Sequence, residues 1–428
     1  MRPTTQQKAP HALCIGHADS PQFARRCALL KQAGWRITEL TGRQEPVTPG
    51  TACLTPRGLP FGRFWRLLTV SRMADFFSLV RKSEPDLLFI QYAQGLWSWL
   101  APLTGRPLVV CAMGGDVLTA EQGAPNLPER KATQGLLRRA GLVLCSSEHL
   151  NSEVQRLHPR GRIVTANWSP DSNTFLPDDK DKARQALGIS KGAWTVFSPR
   201  GMQPFYRIEQ IAEAFALACG QKAEARLLLT TFRAEAEYLE QVRARTRELG
   251  IADRTIFLPP QNAHGMATCF RAADVCVSFP VSDGMPQTFW EATACEAPMV
   301  MSDLPHYNKT IRHGQHALLA GPHTQDLAAA LRQLLTDPTL GPKLARSAQE
   351  LAQEHGSNST PARLGELLQQ CAKTPAASRL SSLPQLFWVL AALVLGRPIV
   401  ARTNQPVYAS VPAFLVAQRS AKRLPCVG

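Results

Sequence analysis

Short runs of consecutive apolar residues, spaced by helix-sized segments, recur in two series along this chain. The first series includes PDLLFIQY (85–92), PLVVCAM (107–113) and GLVLCSS (141–147). The second comprises AWTVFSPRG (193–201), ARLLLTTF (225–232), RTIFLPP (254–260), DVCVSFPV (274–281) and APMVMSDL (297–304). A strand that is apolar on both faces must be covered on both, which is the condition of a parallel sheet flanked by helices. Residues 11–40 add a strand, a polar loop, an amphipathic helix stopped by Gly34, and a second strand. Between the two series, NWSPDSNTFLPDDKDKARQALG (167–188) is rich in turn formers and charge. The sequence therefore predicts an α/β protein with two doubly wound domains, residues 1–172 and 173–370, and a basic, partly apolar tail over 371–428.

Charge narrows the partners. The net charge is +15 and the isoelectric point is near 9.6, so an anionic partner is expected. The tail from Cys371 onward has no Asp or Glu but carries Lys373, Arg379, Arg397, Arg402, Arg419, Lys422 and Arg423. No zinc-finger spacing or RNP-type aromatic frame is present, and no nucleic-acid partner is expected. The eleven cysteines lie scattered, several in apolar runs, with no CxxC pair. Buried reduced thiols and a start that runs from polar residues directly into a strand point to the cytoplasm.

The stretch PVSDGMPQTFWEATACEAPMVMSDLP (280–305) is the richest in chemistry. Ser282, Asp283, Gly284, Met285 and Pro286 turn the chain after a strand, and Gln287 begins a helix that carries Glu291. Loops and helix starts at the carboxyl edge of a parallel sheet bind ligands, and a helix N-terminus favours an anion there. Two carboxylates eight positions apart are acceptors suited to sugar and ribose hydroxyls. On the residues alone, Asp283 as a helix cap and Glu291 as an ordinary helical Glu fit equally well. Arg200 closes the strand WTVFSPR, where a guanidinium can clamp a diphosphate. Arg207 is the next basic residue, with a solvent-facing role as its alternative. In the first half, Gly114, Gly115 and Asp116 follow a strand, as do Gly16 and His17. These five are candidates for the acceptor side, and a tight strand-to-helix turn is the alternative for AMGGDV.

The stretch SDGMPQTFWEATACEAPMVMSDLP resembles the donor-site signature of glycosyltransferase family 4, whose members have the GT-B fold of two Rossmann-like domains facing a cleft. ALCIGHADSPQFARRCALLKQAGW, GRPLVVCAMGGDVL and TIRHGQHALLAGPHTQDLAAALRQLLTD resemble further segments of that family in the same order, so the likeness covers most of residues 11–355. It implies transfer of a sugar from a nucleotide sugar to a glycan or lipid-linked acceptor, with retention of configuration and no metal or other cofactor. Carried over, Glu291 holds the ribose, Asp283 the sugar and Arg200 the phosphates, with Asp116 a third catalytic candidate. The chain departs from the pattern in four places. Asp283 stands for a Glu, Glu296 for a Gly, Met113 for a His, and the Lys usually found several residues after the Arg is missing.

Two segments suggest a peripheral contact with an anionic membrane on its cytoplasmic face. PRGLPFGRFWRLLTVSRMADFF (56–77) intermixes Arg with aromatic and aliphatic residues, and LFWVLAALVLG (386–396) is apolar but about half the length of a bilayer span. Each has an alternative as an ordinary domain helix, the second packing back on the first domain. His306, His313, His316 and His323 have no metal-site spacing. A nucleotide-sugar epimerase and a catalytically silent nucleotide-sugar-binding protein are the rival readings of function.

Overall fold

The structure is a computed structural model; it describes residues 9–17, 20–41, 51–53, 70–118, 127–157, 159–166, 168–220, 222–356, 360–375 and 383–395. Its described residues divide into two units, one of residues 9–166 with 360–395, the other of residues 168–356.

The first unit holds a parallel sheet of seven strands: β1 (His11–Ile15), β2 (Arg36–Thr41), β3 (Thr51–Cys53), β4 (Leu87–Gln91), β5 (Leu108–Ala112), β6 (Leu142–Cys145) and β7 (Arg162–Thr165), in the order β3-β2-β1-β4-β5-β6-β7. Strands β1, β4, β5 and β6 are buried along their whole length; β5 and β6 are unbroken apolar runs, while β1 opens on a buried His11 and β4 closes on a buried Gln91. The second unit holds six parallel strands: β8 (Thr195–Ser198), β9 (Arg226–Thr230), β10 (Thr255–Leu258), β11 (Val275–Ser278), β12 (Met299–Ser302) and β13 (Leu318–Ala320), in the order β10-β9-β8-β11-β12-β13. Separate apolar clusters fill its two faces, one around Phe197, Phe270 and Phe289, the other around Phe215, Phe279 and Leu331.

Both sheets are wound outward from their first strand and then in the opposite direction. Each therefore has a switch point, between β1 and β4 in one unit and between β8 and β11 in the other. Ligands of open α/β sheets bind at the carboxyl ends of the strands that flank such a point. Gly16 and His17 follow β1, and Arg200 and Asp283 follow β8 and β11.

The end of the chain departs from the expected boundaries. The helix Pro361–Lys373, which straddles the boundary expected at residue 370, packs on the first unit. Its Gly365 lies so close to Ala33 that an added Cβ would come within 3.2 Å of the Ala33 methyl, and its Cys371 thiol donates to the Leu108 carbonyl at 3.5 Å. The helix Leu383–Leu395 packs there too, against the helices Leu96–Leu100 and Leu127–Arg139. Gln385 donates from Nε2 to the carbonyls of Trp99 (3.0 Å) and Ala132 (2.9 Å), and Val389 and Ala392 join the core. A Cβ at Gly135 would meet the end of the Gln385 side chain, so the glycine lets that amide lie close against the helix Leu127–Arg139. Of the segment 56–77, residues 56–69 lie outside the described residues. The helix Val70–Ser83 is an ordinary domain helix that buries Met73, Phe76 and Val80. Among the described residues no helix is long and apolar enough to cross a membrane.

Candidate donor and acceptor sites

Strand β8 delivers Arg200 to the carboxyl edge of the second sheet, and the Arg200 carbonyl is fixed there by the Thr230 hydroxyl at 2.8 Å. Two bonds position the loop after β11. The Val281 amide donates to the Phe205 carbonyl at 3.0 Å, and the Ser302 hydroxyl at the end of β12 donates to the Pro280 carbonyl at 2.8 Å. These ties bring Arg200 Nη2 to 2.8 Å from Asp283 Oδ2, with the side chains 11% and 16% exposed. The guanidinium also lies 4.4 Å above the Tyr206 ring and approaches the Thr288 hydroxyl at 3.4 Å. Burial works against its charge, but Asp283, Tyr206 and Tyr307 outweigh burial and raise its pKa. Arg200 is therefore a fixed cation.

Asp283 accepts the Gly284 amide at 2.9 Å through its other oxygen. The helix Gln287–Ala294 then begins at Pro286 with no side-chain cap, unlike the helices opened by Ser20, Ser147 and Asn262. Its first amides are unfilled by side chains, so the macrodipole end is open to an anion. Glu291 is half-buried and lies three residues after Thr288, on the helix face that Thr288 turns toward Arg200. Met285 is buried in the apolar cluster below the helix. Arg207 starts the helix Ile208–Cys219 in a left-handed conformation (φ 51°), with its guanidinium 5.3 Å from the Phe279 ring beside the same loop. Burial lowers its pKa.

Several buried polar atoms at this edge have no hydrogen-bond partner among the described residues: the hydroxyls of Ser198, Ser278, Ser282 and Tyr307, and Gln287 Nε2. The four hydroxyl residues are essentially fully buried. Such atoms carry a desolvation cost unless something completes them. Burial raises the Tyr307 pKa, with Asp283 adding to it, so its phenol stays protonated and able to donate.

At the carboxyl edge of the first sheet, the arrangement is different. Asp116 is 1% exposed, and its oxygens accept the amides of Ala93 (2.6 Å), Met113 (2.9 Å) and Gly114 (3.0 Å). Burial raises its pKa while those amides oppose the rise. The carboxylate offered as a catalytic candidate thus ties the loops after β4 and β5 together. Gly114 has φ 109°, and Gly115 continues the same turn. A Cβ at Gly16 would come within 2.4 Å of the Phe23 ring, so the turn after β1 also requires glycine. The exposed His17 ring meets Tyr92 edge-on at 5.9 Å, and Tyr92 itself has φ 83°, a strained value for a residue with a side chain. Met113 receives the Arg26 guanidinium at its sulfur, 3.0 Å away.

The four histidines have structural partners. His306 packs edge-on against Tyr307, His313 Nδ1 meets the Leu319 backbone, His316 Nδ1 accepts the Arg312 amide, and His323 caps the helix Thr324–Thr336. No group of three metal-binding side chains occurs among the described residues. Glu296 adopts φ 58° just past the helix Gln287–Ala294, the left-handed terminating position that suits glycine, and its carboxylate accepts from Gln349 at 3.2 Å. Tyr206, Thr288 and Tyr307 were not among the residues singled out by sequence. For Tyr206 and Tyr307 the available signal was an aromatic residue just beyond an apolar strand run.

Residues 20–168 match the model of the glycosyl transferase 4-like domain, and residues 179–355 match that of glycosyl transferases group 1. A D-inositol 3-phosphate glycosyltransferase of Rhodococcus erythropolis is 30% identical over 206 residues. That match covers 45% of this chain and 46% of the relative, so the chain spans about half the length of that curated relative. Sucrose-phosphate synthase of Thermosynechococcus elongatus superposes with a TM-score of 0.71 at 20% identity, covering 84% of this chain and 98% of that one. Anabaena HepE, solved in complex with UDP-glucose, superposes at 0.70 with 18% identity, covering 84% and 99%. The two family matches lie in succession on the two Rossmann-like units, whose fold is that of the GT-B neighbours.

Proposed function

We propose that this protein transfers a sugar from a nucleoside-diphosphate sugar to a hydroxyl-bearing glycan or lipid-linked acceptor. The observation that carries the reading is the Arg200–Asp283 pair at the switch point of the second sheet. It stands beside an uncapped helix N-terminus and several buried polar atoms without partners. A fixed guanidinium and free amides suit a diphosphate, and a carboxylate beside them suits sugar hydroxyls. HepE, which was solved with UDP-glucose, shares the fold, and the family models match both units.

In this reading Arg200 and the first amides of the helix Gln287–Ala294 hold the diphosphate, with Arg207 adding positive charge nearby. Glu291 accepts from the ribose hydroxyls. Asp283 holds both Arg200 and the transferred sugar. The bond from the anomeric carbon to the diphosphate breaks as the acceptor oxygen bonds to the same face. The acceptor proton passes to the departing diphosphate oxygen, so configuration is retained without a protein base. Arg200 and the helix N-terminus stabilise the charge on the leaving group, and the scheme requires no metal ion. The acceptor enters beside Gly16, His17 and Gly114, on the loops that Asp116 organises. A peripheral contact with a cytoplasmic membrane face would supply a lipid-linked acceptor for cell-surface polysaccharide synthesis.

Turnover of UDP-, GDP- and ADP-sugars, read as nucleoside diphosphate release in the presence of acceptors, tests the proposal. Glu291→Ala is expected to abolish release in a protein that remains folded. Unchanged turnover in that variant contradicts the assignment, and acceptor-independent conversion of the donor points to an epimerase instead.

A further inference from the structure

The helix Leu383–Leu395 is apolar almost all round, although among the described residues only one of its faces is covered. Gln385, Val389 and Ala392 are buried against the first unit. On the opposite side, Leu383, Phe387 and Leu390 are 56%, 64% and 36% exposed. Their spacing of four and three residues puts all three on one stripe. A helix that buries one apolar face against its own domain and shows a second to water has that second face available for another partner.

Beside this helix lies a cavity of about 550 Å³. Lys131, Arg138, Arg139 and Arg160 line it together with Trp388 and Pro384, and no carboxylate is among the described lining residues. The cations converge because the helix Leu127–Arg139 ends at the amino edge of β6 while Arg160 precedes β7. Burial lowers the Arg139 pKa, and the neighbouring Arg160 and Arg138 lower it further, as expected for cations crowded together. The cavity lies at the amino edge of the sheet, opposite the carboxyl edge that holds Gly16, His17 and Gly114.

We propose that this face docks on an anionic phospholipid membrane, with Lys131, Arg138, Arg139 and Arg160 taking lipid phosphates and Leu383, Phe387 and Leu390 entering the acyl boundary. Charge decides between the possible occupants. Residues 396–428 carry five basic residues and no acid, so that segment is not complementary to a basic cavity. A second copy would bring an equally basic face. An anionic surface is complementary to the cavity and adds an apolar phase for the stripe. Trp388 sits between the two, where an amphipathic ring suits the headgroup level. The inference deepens the membrane contact of the proposed function and rests on it for its purpose, but not on the donor chemistry.

Cosedimentation of the full chain with vesicles of phosphatidylcholine alone, or mixed with phosphatidylglycerol, tests it. Nucleoside diphosphate binding, read in parallel, reports on the donor site and the fold. The wild-type chain is expected to bind the mixed vesicles and not the neutral ones, and to be released by high salt. Each cation at an anionic surface contributes about fivefold, so Arg138→Gln, Arg139→Gln and Arg160→Gln together lower partitioning by about a hundredfold. Leu383→Ser with Phe387→Ser lowers it at least tenfold and leaves nucleotide binding unchanged, which separates this inference from the donor-site reading. Equal binding to both vesicle types, or unchanged partitioning in both variants, overturns the proposal. So does a wild-type dimer that the serine variant converts to monomer, or tight binding of inorganic phosphate at the cavity by a chain that ignores vesicles.

Discussion

Each unit places an aspartate a few residues beyond an inner strand at the carboxyl edge of its sheet, yet the two carboxylates act in opposite ways. Asp116 is sealed in and bonded to three backbone amides. Asp283 is partly open and faces Arg200, with one oxygen on that guanidinium. Both lie at a carboxyl edge, Asp283 after the strand at its switch point and Asp116 one strand further out, and the neighbours decide what each carboxylate does. Where the surrounding groups are amides of the chain itself, the aspartate builds a loop. Where the neighbour is a fixed cation next to an uncapped helix, the pair is poised for a ligand.

Substitutions can break this contrast, and the largest effect is expected in the first unit. Asp116→Ala leaves three buried amides unpartnered and should cost roughly 3–5 kcal/mol of stability, read by denaturant unfolding. A change below about 1 kcal/mol would mean that the amides find water and that Asp116 is not the organiser. Arg200→Ala should weaken nucleoside diphosphate binding by about 30-fold or more in titration calorimetry, because truncating one member of a buried charged pair typically costs at least about 2 kcal/mol. Tyr307→Phe sharpens the comparison at smaller scale. Its hydroxyl has no partner among the described residues, so thermal unfolding should stay within about 0.5 kcal/mol while donor affinity falls roughly five- to tenfold. Loss of stability without loss of affinity would return Tyr307 to the core. The smallest effect lies at the far end of the donor helix. Glu296→Gly relieves a left-handed side-chain conformation and should stabilise the second unit by about 1 kcal/mol, with donor affinity unchanged.

Much of the second unit was legible in the sequence because parallel strands write themselves as unbroken apolar runs, and β8, β11 and β12 stand out in this way. Asp283, Glu291 and Arg200 were legible as residues at strand and helix ends. That Arg200 pairs with Asp283 was not, because it depends on β8 lying beside β11, strands separated by more than seventy residues. The role of Asp116 was hidden for a similar reason: one of its three amides comes from Ala93, in another loop. The helix Pro361–Lys373 was split by the boundary expected at residue 370, and the helix Leu383–Leu395 was left open between a membrane surface and the first domain, because their partners, such as Leu108 and Trp99, lie more than 250 positions earlier. The left-handed backbone at Glu296 carries no local signal in a residue other than glycine.

The central claim, that the Arg200–Asp283 edge is the diphosphate end of a donor site, is tested most directly by calorimetric titration of UDP, GDP and ADP into the wild-type, Arg200→Ala and Asp283→Asn chains. The account predicts that at least one nucleotide binds the wild type, that Arg200→Ala loses about 30-fold or more of that affinity, and that Asp283→Asn, which leaves the guanidinium in place, stays within a few-fold. Equal affinity in the wild type and Arg200→Ala, or binding of none of the three nucleotides by the wild type, would contradict it.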